Sequence, residues 1–587
     1  MFLRVAAIIV LGFIAYGCVL PAPFKTMDDR TSIIDNPLIK SSSRIPEIFR
    51  EGYFHDQFYY RPLANLSFSA EYRFFGLRSV FYNLDNLLLH ILNALLVYGL
   101  VWRLTNSPVI GFWTAVLFVI HPVQWEAVCN ISGRAILLSA FFVLSTFVLF
   151  LEFYKSRRWY YIVLAMVTFF LGLLSKESAG VLPVVLLAYL GAEKKGAWLQ
   201  KIKFLWPFLL VIAGYVFLRA HLGILKTFQP GSFYVLMLGF VTFLRSVITD
   251  LRLFVLPIDL HFDRCLPFFL SLTYPPALAA MVFWAAVVAA VVALRRKIPP
   301  LGLFLMGWFA LELLPVSQLV TGIGVGTGRV SSAEHFLYLA AIPVLIGMVM
   351  ACRQGYELNF RRVIIRPALF KFMTAGFLVF LLLTSVEQSL YAVSELGMLQ
   401  RSLAFEPNNP RIQGAMGLWY VFKDDIPNAE KHFRAAALAE PLNPTYHVSL
   451  GVALCQEGRW IEGLAQLVVL DPVSKDKEMV ARQETLAMTE IRRQLSQGKT
   501  FNAKGWMTLG IYYAKIGNVA LAIDAFVKSV ALDPRQADGW INLGTLYEVR
   551  QDWPKARAAY EKLMALDSLS TVHKGSIYRH LTGIGKH

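Results

Sequence analysis

The chain is predicted to be all-α: a polytopic membrane domain of about eleven transmembrane helices, followed by an α-solenoid of helical repeats. Three observations carry this expectation. Hydrophobic residues fill 56% of the 587 positions, above the roughly 45–50% apolar share of soluble proteins. Apolar stretches long enough to cross a bilayer recur along the first two thirds of the chain. After residue 392 they stop, and a 34-residue period takes their place.

A helix needs roughly 20 apolar residues to cross the hydrocarbon core. Such stretches lie near 3–20, 82–103, 109–125, 135–153, 158–174, 178–192, 204–221, 274–294, 301–320, 336–351 and 367–391. Positive charge orients them. Trp102-Arg103, Lys155 to Arg158, Lys194 to Lys203, Arg295-Arg296-Lys297 and Arg353 to Arg366 fall in alternate loops, which are therefore cytoplasmic. The stretch 235–256 is also apolar, yet it carries Arg245, Asp250 and Arg252. Counting it as a span would move Arg295-Arg296-Lys297 to the outer side, so it is read as an interfacial or re-entrant helix. The N-terminus is then inside and the C-terminus outside. Met1–Leu20 has the length of a signal peptide, but Pro21 and Pro23 crowd the cleavage position, so a retained first helix is expected.

The net charge of +17 follows from 56 basic and 39 acidic residues. Positive-inside loops account for it, and no nucleic-acid partner is expected. Five cysteines, scattered and odd in number, form neither a disulfide framework nor a metal motif.

In the last third, Trp506-x2-Leu509-Gly510-x2-Tyr513 leads to Ala522, Phe526 and Pro534. Thirty-four residues on, Trp540-x2-Leu543-Gly544-x2-Tyr547 leads to Ala556 and Tyr560. Gly417, Tyr420, Ala429, Phe433 and Pro441 form a third unit, and Gly451 opens a more degenerate fourth. This is the tetratricopeptide (TPR) pattern: small residues let two helices approach, aromatics fill the space between them, and Pro ends the second helix. Residues 473–500 miss the register and are read as a helical insertion. The domains are thus 1–392, membrane, with a first outer loop at 21–81, and 393–587, repeats. The groove of such an array suits an extended acceptor peptide; a scaffold that only stabilises or dimerises the membrane part is the alternative.

Six polar motifs fall on the outer face of this threading: Met27 to Arg30, Tyr60 to Leu63, His121 to Ala127, Ser132 to Arg134, Ser175 to Glu177, and Ala333 to Leu339. Charge beside a bilayer is costly and usually marks a pair, a pathway or an active site. Asp28-Asp29 follows a span directly, where a lipid headgroup would sit, so one of them is the candidate catalytic base; a solvated turn is the bland reading. Arg61, Arg134 and Lys176 stand at span ends and suit a phosphate, with headgroup snorkelling as the alternative. His121 and Glu126 can orient the base or a sugar hydroxyl, though a lone His at a span end is often only a structural hydrogen-bonder. Glu177 is placed to pair with Lys176. His261, Asp263 and Arg264 are candidates to complete a carrier pocket. Gly322, Gly324, Gly326 and Gly328 lack the features of a nucleotide loop and are read as a lid or turn.

The order of these blocks resembles the membrane domain of the transmembrane and tetratricopeptide repeat-containing O-mannosyltransferases and their bacterial relatives. The matching stretches are Asp28-Asp29 with Asp35-Asn36-Pro37, Tyr60-Arg61-Pro62-Leu63, Phe75-Gly76-Leu77, Tyr82 to His90, His121 to Val128, Ser132-Gly133-Arg134, Leu138-Ser139-Ala140, Leu174 to Glu177 and Ala333 to Leu339. The resemblance implies a GT-C glycosyltransferase fold, acting on a polyprenyl-phosphate-linked sugar, with mannose the sugar of the family. It implies Asp28 or Asp29 as the catalytic base without separating them. Arg61, Arg134 and Lys176 would hold the donor phosphate, with His121, Glu126, Glu177, Glu334 and His335 in support. Relatives usually carry Arg where His335 stands, and Arg329 is the candidate to supply that charge. An aspartate pair can also bind a divalent metal, and the sequence leaves any metal requirement open.

The expected function is therefore transfer of a sugar to a protein hydroxyl on the non-cytoplasmic face, with the repeats guiding the acceptor. In a bacterium that places the protein in the inner membrane, with motifs and repeats in the periplasm. Membrane lipid, the lipid-linked sugar and an acceptor protein or peptide are the expected partners. An envelope lipid or polysaccharide acceptor is the nearest alternative, and a non-catalytic TPR membrane scaffold the next. A transporter would need charged or broken helices at mid-membrane, and the span centres are clean.

Overall fold

A computed structural model of the chain describes residues 1–53, 59–193, 201–224, 232–319, 328–362, 367–469 and 477–566. The described residues are almost entirely helical, and they divide into two compact units, Met1–Ala415 and Met416–His587. The division falls later than residue 392. Helix Glu395–Phe405 packs with the membrane part, where Glu395 accepts from Thr26 and Arg401 Nε donates to Leu260 O at 2.9 Å.

Among the described residues of the first unit, seven helices are long and apolar enough to cross a membrane: Phe2–Val19, Ser79–Thr105, Ile131–Ser156, Phe233–Val255, Pro275–Leu294, Glu334–Glu357 and Ala368–Val393. Pro108–Ile120 and Pro122–Val128 together make an eighth, bent by 54°. The bend has a local cause. Pro122 cannot donate to the turn before it, and His121 is extended at φ −74° and ψ 124°. Trp159–Ser175, Glu177–Ala192, Trp206–His221 and Pro300–Val316 are shorter apolar helices. The chain is an integral membrane protein.

The long helices differ in how much they bury: Pro275–Leu294 buries only Ala277 and Ala280, while others bury a full stripe. In Arg134–Ser156 the stripe is Leu137, Ala140, Leu144, Phe147 and Leu151, at helical spacing. Phe147 meets Trp308 edge-on at 5.5 Å between ring centres, tying this helix to Pro300–Glu312.

The helix Phe233–Val255 qualifies as a span by length and composition. It packs along Pro275–Leu294, where Trp284 Nε1 donates to Leu244 O at 2.9 Å, and connecting segments meet it as well. Phe268 and Gln318 crowd Gly239, Thr242 Oγ1 accepts from Phe269 N at 3.1 Å, Asp250 accepts from Ser332 Oγ at 3.3 Å, and Phe254 O accepts from His121 Nε2 at 3.1 Å. A short antiparallel ladder, Cys265–Pro267 with Arg329–Ser331, joins two of these segments, pairing Cys265 with Ser331. Of the expected glycine-rich loop, Gly328 is described and has φ +97°; Gly322, Gly324 and Gly326 lie outside the described residues.

The second unit is a run of helix pairs from Ile426–Ala439 to Trp553–Met564. One contact repeats through it. A Cβ on Gly417, Gly510 or Gly544 would lie 2.5 Å from the ring of Phe433, Phe526 or Tyr560, sixteen residues later in each case. At Gly451 the sixteenth residue is Leu467, 2.9 Å away, which is the degenerate unit. The insertion contains one helix, Lys477–Ser496, with Val480, Ala487, Met488 and Ile491 buried; residues 470–476 lie outside the described set.

Candidate active site

The first loop is fastened at three residues and free at one. Lys25 Nζ donates to Cys129 O and to Asn130 Oδ1. Thr26 donates through N and Oγ1 to Glu395 Oε1, at 2.8 and 2.6 Å. Asp29 is 2% exposed; its two oxygens accept from Lys25 N at 3.0 Å and Ser132 N at 3.1 Å. Asp28 projects from between these anchors, its side chain 37% exposed. Asp29 is thus a brace between the loop and the Ser132 turn, and the expectation that it serves as the base is corrected. Burial pushes its carboxyl up to about 6, against the pull of Lys25. Among the described residues, no group of three or more His, Cys, Asp or Glu is placed to hold a metal ion.

Asp28 faces a charged cluster drawn from distant segments. Arg411 Nη2 lies 3.6 Å from Asp28 Oδ1, and Arg411 Nη1 lies 2.9 Å from Asp263 Oδ1. Asp263 is buried in the left-handed region at φ +57°, and its second oxygen has no hydrogen-bond partner. Burial pushes the Asp263 carboxyl up to about 7; Arg411 pulls it down, while Glu126, Asp28 and Glu406 add repulsion. Glu126 is buried and receives His335 twice, backbone N to Oε2 at 3.0 Å and Nδ1 beside Oε1 at 2.9 Å. His335 therefore partners Glu126, at the position where relatives carry Arg.

On another side are the cations. Glu177 accepts from Tyr60 N at 2.9 Å and from Arg61 Nε at 3.3 Å. The Arg61 guanidinium lies 4.7 Å from the Tyr59 ring centre and 5.6 Å from that of Tyr53. Its Nη atoms make no hydrogen bond among the described residues, so one edge of the fork is available. The Lys176 amine makes neither a hydrogen bond nor an ion pair among the described residues, while its backbone N donates to Gly172 O. Burial pulls its amine down to about 7, Arg61 adds repulsion, and Glu177 and Glu126 oppose both. The same Glu126 that feels Asp263 and Arg411 thus also feels Lys176.

Six expected residues lie elsewhere or serve other ends. Arg134 is fully buried, and all five of its N–H donors are engaged. Nη1 and Nη2 bind Glu71 at 3.0 and 2.9 Å, Nε binds Asn86 at 2.6 Å, and Ser67, Asp85 and Tyr82 O take the rest. The expectation that it holds the donor phosphate is corrected: no donor remains for one. Arg329 binds Asn408 O at 2.8 Å and Cys265 Sγ at 3.3 Å, fastening the ladder instead of replacing the charge at 335. His121 is buried, accepts from Val123 N at Nδ1 and donates from Nε2 to Phe254 O, which is a structural cap. Glu334 is buried and accepts from Trp125 Nε1, His261 N and Arg264 Nη2, joining three segments beneath the site. His261 meets Glu406 at 3.1 Å, and Arg264 binds Asp259 O at 2.6 Å, so neither is open to a carrier.

Arg411 is the residue that sequence reasoning missed. It lies just inside helix Pro410–Val421, within what reads as the repeat region, and no motif marks it.

Residues 62–222 match a family model described as dolichyl-phosphate-mannose-protein mannosyltransferase, and residues 507–570 match a tetratricopeptide repeat model. The chain is similar to the protein O-mannosyl-transferases. One from Caenorhabditis elegans is 30% identical over 152 residues, covering 24% of this chain and 22% of that protein. One from Drosophila melanogaster is 28% identical over 176 residues, covering 29% of this chain and 20% of that protein. One from Xenopus laevis is 39% identical over 101 residues, covering 17% and 12%. The chain thus spans about a fifth or less of the length of these relatives. The solved structure of MamA is 20% identical over 30% of this chain and 81% of its own, with a TM-score of 0.17.

Proposed function

We propose that the protein is a GT-C glycosyltransferase that moves mannose from a polyprenyl-phosphate carrier to a protein hydroxyl on the non-cytoplasmic face, with Asp28 as general base. The observation that carries this reading is the first loop, pinned at Lys25, Thr26 and Asp29 so that Asp28 alone projects into the charged cluster. Its similarity to protein O-mannosyl-transferases supports the mannosyl donor and the protein acceptor.

Asp28 removes the proton of the acceptor hydroxyl. That oxygen attacks the anomeric carbon, and the bond from this carbon to the phosphate oxygen breaks. The polyprenyl phosphate leaves with the bonding electrons, and the anomeric configuration inverts. Arg61 and Lys176 receive the charge that grows on the leaving phosphate, the fork at its edge and the amine as a point charge. Glu177 holds Arg61 in place for this. In this reading Phe233–Val255 lies along the outer interface, the other eleven apolar stretches cross, and the repeats stand in the periplasm and guide the acceptor. Its setting is the bacterial inner membrane.

The test is transfer of radiolabelled mannose from polyprenyl-phosphate mannose to envelope proteins by the purified full chain in detergent. Asp28→Asn is expected to lower turnover by about 10²-fold or more, the range of general-base catalysis, with thermal unfolding unchanged. Transfer at the parental rate by Asp28→Asn would remove the base assignment. Label passing only to lipid or polysaccharide would redirect the acceptor, and no transfer from any lipid-linked sugar would leave the scaffold reading.

A further inference from the structure

We propose that Arg411 is a positioning residue for Asp28: its guanidinium, seated on Asp263, orients the Asp28 carboxylate toward the acceptor hydroxyl. The inference rests on the reading of Asp28 as the base. It extends the active site into the turn that leads into the repeats, a segment that carries no recognisable motif.

The turn is built to aim this side chain. Asn409 Oδ1 accepts from Arg411 N at 3.1 Å and from Ile412 N at 3.3 Å, capping the helix that Arg411 begins. Asn409 Nδ2 donates to Asp263 O at 3.1 Å, so the cap is fastened to the same residue that Arg411 binds through its side chain. Asp263 adopts φ +57°, a region an aspartate tolerates better than most residues, and the loop around it is held by Arg264 on Asp259 and Glu334. Arg411 is therefore fixed at both ends before it reaches Asp28.

Two features suit positioning over simple burial of a salt bridge. First, the two ion pairs use different nitrogens, Nη1 for Asp263 and Nη2 for Asp28, which the planar fork of Arg permits and the single amine of Lys does not. Second, the pairing is tight on one side and loose on the other, 2.9 Å to Asp263 against 3.6 Å to Asp28. A carboxylate held like Asp29, buried with both oxygens on backbone N–H groups, is closed to an acceptor hydroxyl. Asp28 is directed by one loose cationic neighbour and keeps lone pairs for a substrate. Among the described residues, Arg411 is the only cation within 4.0 Å of Asp28.

The experiment measures kcat and the donor KM for Arg411→Gln, Arg411→Lys and Asp263→Asn in the full chain, with thermal unfolding of each. Misplacing a reacting group by about 1 Å costs on the order of 10²-fold, so Arg411→Gln is expected to lose 10- to 100-fold in kcat. The donor KM should stay within about twofold, because phosphate contacts are untouched. Arg411→Lys should recover part of kcat, and Asp263→Asn should show a smaller loss of the same kind, which covers the case in which Arg411→Gln folds poorly. The residual turnover of Asp28→Asn should not fall further when Arg411→Gln is added. Parental kcat in Arg411→Gln, or an equal further loss on the Asp28→Asn background, would overturn the proposal while leaving Asp28 as base. Full activity in Asp28→Asn would overturn both.

Discussion

Asp28 and Asp29 are chemically identical neighbours with opposite surroundings, and the difference decides which of them can work. Asp29 is buried between two backbone N–H donors; Asp28 has solvent and one loose cation. Adjacent residues at a turn point in different directions, and the sequence carries no sign of which way each points. Lys176 gives a second contrast. It reads as one cation among several, yet burial and Arg61 depress its amine to about 7. The sign follows directly. A depressed lysine favours the neutral form in the folded protein, so the free enzyme loses stability as pH falls from the ordinary lysine range toward about 7, and the loss levels off below that, where the amine is charged in both states. A phosphate beside it reverses that preference, so donor binding draws in a proton. Donor affinity should therefore be highest below pH 7 and weaken above it. Steady-state kinetics are expected to show the donor KM rising roughly tenfold between pH 6.5 and pH 8.5, about one charge–charge contact. Lys176→Arg, charged throughout, should flatten the profile. A wild-type KM indifferent to pH would take Lys176 out of the phosphate site.

Between the bent helix and Arg134–Ser156, one turn carries both a brace and an anchor. Ser132 N receives Asp29, while Arg134 enters the interior and gathers Glu71, Asp85, Asn86 and Tyr82 around it. The motif Ser132-Gly133-Arg134 is conspicuous in the sequence, and its charge sign suggested a phosphate. What the sequence could not show is that Glu71, on the helix Pro62–Phe75, closes on the same guanidinium. Whether a cation is free depends on partners some fifty to sixty residues away, and no local pattern records them. Removing one member of a buried pair leaves the other charge uncompensated, typically at about 3–5 kcal/mol. Glu71→Gln and Arg134→Met are accordingly expected to lower the unfolding temperature in detergent and the folded yield, while turnover per folded molecule changes little. A fold-preserving Arg134→Met with a raised donor KM would restore the phosphate role. Gly133 is constrained by the same turn: a Cβ there would lie 2.1 Å from Ala127 O, against backbone that cannot step aside, so Gly133→Ala should destabilise as well.

At the scale of the whole molecule, the sequence shows what is periodic and hides what converges. Apolar stretches and the 34-residue repeat are each written many times over, so the all-helical class and the repeat array were legible from hydropathy and spacing. The candidate site has no such redundancy. Asp28, Glu126, Lys176, Asp263, His335 and Arg411 come together from six separate segments, and only packing brings Arg411 beside a residue near the start of the chain. The repeats allow a test of their own contribution. In three of the units a glycine gives room to an aromatic sixteen residues on, and at Gly510 a Cβ would sit 2.5 Å from the Phe526 ring. A rigid ring cannot fold away as a flexible chain can, so Gly510→Leu overpacks the pair, at about 1–3 kcal/mol or more. If the array guides acceptors, this variant should transfer mannose to a short Ser/Thr peptide at the parental kcat and lose most of its rate on full-length envelope proteins. On that reading short peptides would reach Asp28 without the groove, and long acceptors would rely on it for effective concentration. Equal losses on both substrates would instead make the repeats a support for the membrane domain, and equal retention would remove them from acceptor selection.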